Sequence, residues 1–125
     1  MNRTLRWVIF LAGAVACGVA LAAVAEFAFF ARPLAWLNLV FWAIIAIVFG
    51  FVLRTWPMAI AVCAVLGFTI VVSYSIMGYH ASAPLSKALF AFLVLGVVGA
   101  IGMGAGGAVG HLVRRSRTSP RAARR

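Results

Sequence analysis

The stretch LSKALFAFLVLGVVGAIGMGAGGAVGHLV, Leu85 to Val113, decides the fold. These 29 residues contain no acid, and after Lys87 their only ionisable side chain is His111. A membrane span needs roughly 20 apolar residues, so the stretch is long enough to cross a bilayer. Its second half holds seven glycines in fifteen positions: Gly96, Gly99, Gly102, Gly104, Gly106, Gly107 and Gly110. In water each glycine weakens a helix by about 1 kcal/mol relative to alanine. In lipid the backbone has no water to bond, so the helix persists and the glycines leave a groove for a neighbouring helix. Gly99, Gly102, Gly106 and Gly110 follow a spacing of three and four and predict a packing face, with span one or a second copy of the chain as its partner and span one preferred. Gly104 is expected to face away. No strand precedes these glycines and no Lys-Ser/Thr follows them, so they are not a phosphate loop.

Working outward, the whole chain has the same character. Of 125 residues, 66% are hydrophobic and 10% charged, against about half apolar and a quarter charged in soluble domains. The sequence therefore predicts an all-α integral membrane protein: an up-down bundle of four transmembrane helices, short loops and a basic cytoplasmic tail. The spans fall at about 7–31, 34–53, 58–77 and 85–113, making residues 1–113 the membrane domain. Residues 114–125 are expected to be a disordered tail.

The connections carry proline signals. A residue before proline leaves the α region, and proline sits well in a first helical turn. Arg32-Pro33 and Trp56-Pro57 thus predict two tight antiparallel hairpins, and Ser82 with Pro84 predicts the start of span four. One competing reading concerns the N-terminus: Ala23-Val24-Ala25 before Glu26 also resembles a signal-peptide cleavage site. The apolar run resumes after Glu26 and reaches 25 residues from Trp7 to Ala31, which favours an uncleaved first span.

The net charge of +10 is not spread over a folded surface. With four spans, one side carries Arg3, Arg6, Arg54 and the tail residues Arg114, Arg115, Arg117, Arg121, Arg124 and Arg125. The other carries Arg32 and Lys87. The positive-inside rule then puts both termini in the cytoplasm of a multi-pass inner-membrane protein. Trp7 and Trp56 mark the inner interface, Trp36 and Tyr79 the outer one. The expected partners of the tail are the bilayer and its anionic headgroups, not nucleic acid.

Glu26 is the only acid in the chain. It lies six residues before Arg32, about 9 Å below the outer end of its helix. Asn38, Ser73, Tyr74 and Ser75 fall in the same layer, and Lys87 just above it. An intramembrane acid is a functional candidate; the plainer reading pairs Glu26 with Lys87 and lets Asn38 and the serines bond across helices. Cys17 and Cys63 sit in apolar runs as small hydrophobes. His80 and His111 belong to opposite membrane surfaces and cannot share a metal. Neither a metal nor a cofactor is expected, and no nucleophile, base and orienting group share one neighbourhood, so no enzymatic activity is expected.

Four short spans in this length also occur in small multidrug-resistance transporters and fluoride channels. The likeness ends at size and topology, because Glu26 lies near the outer end of its helix. The sequence thus points to a structural or accessory subunit that associates through membrane helices, alone as a homo-oligomer or within a larger membrane complex. Its competitor is a minimal dimeric transporter or channel using Glu26, and a holin-like pore former comes third.

Overall fold

The structure, a computed structural model, describes residues 2–28 and 35–118, with the side chains of 26–28 and 35–39 outside that description. The described residues form four helices: α1 Arg3–Ala28, α2 Ala35–Val52, α3 Trp56–Met77 and α4 Leu85–Thr118. Three of them are long and apolar enough to cross a membrane, while the described apolar part of α2 runs from Val40 to Val52. The Arg32-Pro33 connection and residues 119–125 lie outside the description.

Proline and glycine set the ends much as their chemistry requires. Thr55 precedes α3 in an extended conformation, with φ −118° and ψ 139°, and Pro57 occupies the first turn, where a missing N–H costs nothing. At the other end the Gly78 N–H returns to the Tyr74 carbonyl at 3.0 Å. Pro84 stands just before α4 and its carbonyl accepts from Lys87 N at 3.0 Å.

One boundary differs from expectation. The tail was expected to begin, unstructured, at Arg114, but α4 continues through Arg114 to Thr118. Side chains of this segment bond back to its own carbonyls: Ser116 Oγ donates to Val113 O at 2.8 Å and Thr118 Oγ1 to Arg114 O at 3.1 Å. Arg114 is further held by α2, as described below.

The helices alternate in direction. Gly18 of α1 meets Leu66 and Thr69 of α3, and Arg3, Arg6 and Trp7 lie beside Thr55, Pro57 and Met58, so α1 and α3 run parallel. Gly96 meets Phe68 and Val72, while Gly107 meets Ala59 and Cys63, so α4 runs antiparallel to α3. Ala46 meets Gly106 and Phe51 meets Gly110, so α2 runs parallel to α4.

The lateral order is α1–α3–α4–α2, with a smaller contact between α2 and α3. Among the described residues α1 packs against neither α2 nor α4. The tight α1–α2 hairpin expected from Arg32-Pro33 is therefore not a packed pair over its described length. The centre of the molecule is α3, which buries Met58, Ala59, Val62, Cys63, Leu66, Gly67 and Ile70. Its i, i+4 rows divide the work: Ala59, Cys63 and Gly67 face α4, and Leu66 faces α1 at Gly18. Ala14, Gly18, Ala22 and Ala25 are the buried positions among the described side chains of α1. Small residues on both sides let backbones approach, which is how membrane helices gain dispersion contacts when lipid is as apolar as the helices themselves.

Candidate functional site

Among the described residues, helices approach closely along a seam on α4. A Cβ added to Gly107 would stand 2.7 Å from Cys63 Sγ and 2.8 Å from the Ala59 carbonyl oxygen. At Gly50 it would overlap the Gly107 backbone, and at Gly110 the Ile47 carbonyl. At Gly106 it would lie 2.6 Å from Ala46 Cβ, and at Gly99 2.5 Å from Val71 Cγ2. Gly67 opposes Gly99 and Met103 from the α3 side. These positions demand glycine because a backbone or a short side chain already occupies the space.

The seam has two partners. Gly96, Gly99, Met103 and Gly107 face α3, while Gly106 and Gly110 face α2. Span one, the partner preferred from sequence, is not there; it packs on α3 instead. Gly102 departs from its expected role as well. A Cβ there meets nothing within 4 Å, and the residue is exposed. Gly104, expected to face away, is buried with Ala64 Cβ at 3.5 Å from its would-be Cβ.

Gly102 instead borders a cavity of about 460 Å³, bounded by Trp42 and Ala43 of α2, by Ile70 and Val71 of α3, and by Leu95 and Val98 of α4.

The polar layer is only partly visible. Glu26 and Asn38 lie on α1 and α2, with side chains outside the described set. Ser73, Tyr74 and Ser75 are consecutive on α3, about 100° apart, and so cannot face one point. Ser75 Oγ donates to the Val71 carbonyl of its own helix at 2.7 Å. Tyr74 is 43% exposed, and Lys87 is exposed at the start of α4. Thr69 Oγ1 likewise donates to Val65 O at 2.8 Å. Among the described residues no polar or charged side chain is buried and no metal-ligating cluster occurs.

The opposite end gathers more polar chemistry. Arg114 Nη1 donates to the Phe51 and Val52 carbonyls at 3.3 and 3.1 Å. His111 Nδ1 lies 3.2 Å from the Leu53 carbonyl oxygen and its ring meets Trp56 edge-on, with centroids 5.7 Å apart. A helix leaves its last carbonyls unpaired and negative, so cations there are favourable. The end of α4 thus caps the end of α2. His111, near the end of α4, serves the last carbonyls of α2.

Gly50, Gly67, Gly96 and Gly107 are contact residues that lie outside the face predicted from sequence. The spacing of three and four is the right signal, but Met103 interrupts the stripe Gly96–Gly99–Met103–Gly107–Gly110, which an all-glycine pattern does not contain.

Compared with protein-family models, with characterised proteins and with solved structures, the chain matches none.

Proposed function

We propose that the chain is a non-enzymatic, four-span protein of the cell (inner) membrane, with both termini cytoplasmic, that serves as a structural or accessory subunit. It associates with another membrane protein, or with a second copy of itself, through its helices. One observation carries this reading. Gly102 on α4 and Gly13 on α1 are exposed, and a Cβ at either meets nothing within 4 Å. A helical glycine with no close neighbour loses about 1 kcal/mol of helix propensity for no gain inside the chain. Small residues at a surface are what a partner helix needs to approach. At Gly102 they border the apolar cavity beside Trp42, and at Gly13 they continue into exposed Ala16 and Ala20.

The orientation rests on charge. Arg3, Arg6, Arg54 and Arg114 share the end where α1 and α3 begin and α2 and α4 finish, whereas Lys87 stands at the other. Retention of span one is supported by its packing, since signal cleavage after Ala25 would strip Ala14, Gly18 and Ala22 from α3. The competing transporter reading needs a polar route through the bundle, and the described interior is apolar.

Purification of the full chain in mild detergent, with mass analysis of what accompanies it, tests the proposal. A larger membrane protein or a second copy should come with wild type and be lost with Gly102→Leu, whose side chain has room in the isolated chain. A wild-type chain that elutes alone and monomeric contradicts it.

A further inference from the structure

At the end of the molecule where α1 and α3 begin, Arg3, Arg6 and Trp7 of α1 face Thr55, Pro57 and Met58 of α3 across a cavity of about 310 Å³. Its electrostatics are one-sided. Arg3 and Arg6 are three apart, hence neighbours on one helix face, and like charges at that spacing repel. Both stand in the opening turns of a helix, where the macrodipole is already positive. Neither α1 nor α3 has an acid in its first turn. The only acidic side chain in the sequence is Glu26, twenty residues further along α1 and so about 30 Å away. Among the described residues neither guanidinium has a hydrogen-bond or ion-pair partner.

The donors are equally unspent. Thr55 is the N-cap of α3, yet its hydroxyl makes no capping bond. The Met58 N–H belongs to the first turn and has no carbonyl to receive it within the helix. Two exposed guanidinium forks, an exposed hydroxyl and a helix N-terminus therefore line one space that holds no negative charge. Local choices that disfavour the folded chain by themselves become favourable once an anion is present.

We propose that this cavity binds a phosphate-bearing anion, clamped by Arg3 and Arg6 and received by Thr55 Oγ1 and the α3 N-terminus. Guanidinium matches phosphate bidentately, and a helix N-terminus suits it for the same reasons. Half-buried Trp7 and buried Met58 give the cavity an apolar floor, which fits a headgroup phosphate whose acyl chains continue into the bilayer; a free phosphate would satisfy the same donors. This site is separate from the arginine tail, residues 114–125.

Thermal unfolding of the full chain in a non-ionic detergent tests it, with dioleoyl phosphatidylglycerol in one arm and inorganic phosphate in another. The expected result is a rise in Tm of about 4 °C with the anion. The rise should vanish in R3Q/R6Q and in T55D, and survive when Arg121, Arg124 and Arg125 are changed to Gln. T55D places a carboxylate among the guanidiniums and caps α3, so it should melt above wild type without added anion. If R3Q/R6Q fails to fold, T55D decides alone. A rise with the lipid only identifies the headgroup, and an equal rise with inorganic phosphate identifies the free ion. Absence of a rise in both arms, or a rise that persists in T55D, overturns the proposal.

Discussion

Gly107 shows how much a single hydrogen atom decides in this molecule. Its missing side chain is the space taken by Cys63 and Ala59, so Gly107→Ala should cost about 1–3 kcal/mol through overpacking. Gly102→Ala should be neutral or stabilising by up to about 1 kcal/mol, since nothing stands within 4 Å and the helix gains propensity. Unfolding of the two variants in mixed detergent micelles measures the contrast, and equal stabilities would mean the seam is not packed as described. Only part of this was legible in the sequence. Glycines at spacings of three and four announce close approach, and Gly99, Gly106 and Gly110 do meet neighbours. Gly102 does not, because the spacing describes one helix while the contact depends on its neighbours, and here a cavity shared with Trp42 lies beside it. A residue's own pattern cannot report the path of its partner.

At the scale of elements, the order α1–α3–α4–α2 is the feature furthest from the sequence reading. Short connections suggest that neighbours in sequence pack together. Here α3 offers two faces, Leu66 and Thr69 against Gly18 of α1 and the small residues Ala59, Cys63 and Gly67 against α4, and the gain from close backbone contact outweighs proximity along the chain. The ends of the helices were easier, since proline, glycine and arginine act locally. The exception is the end of α4, where Arg114 finds the α2 carbonyls, a long-range contact that no local signal announces. Arg114→Gln should therefore lower stability by about 1–2 kcal/mol, as expected for a charged group bonded to backbone. Adding His111→Ala should cost less than the sum of the two changes, because both side chains serve the same helix end. Thermal unfolding of the single and double variants reads this; an Arg114→Gln protein as stable as wild type would remove α4 as the cap of α2. Beyond Thr118 the remaining arginines should hold anionic membranes by roughly 1 kcal/mol each, screened by salt. A peptide of residues 114–125 should bind phosphatidylglycerol vesicles at low ionic strength and leave them as salt rises, and salt-independent binding would show that charge is not the cause.

For the whole molecule, the distribution of charge and the alternation of the helices point to one arrangement in the membrane. Arg3 and Arg6, the α2–α3 corner at Arg54 and the end of α4 come together at one end, and nine of the eleven basic residues belong to that side by sequence. Composition alone gave the membrane class, because no soluble core could absorb so many apolar side chains, among them exposed Phe90, Val98 and Ile101 on α4. It could give neither a partner nor a role, since the residues that face outward are apolar and small, and such surfaces look alike whether lipid or protein covers them. If Glu26 carries transport instead, reconstituted chain should show pH-dependent flux that disappears in Glu26→Gln. Topology tests the membrane arrangement most directly. Reporter fusions at Arg54 and Ser116 should report the cytoplasm and a fusion at Ser82 the exterior, on a protein whose measured mass still includes residues 1–25. A cytoplasmic signal at Ser82, or an exterior one at Arg54, would contradict four alternating spans with both termini inside.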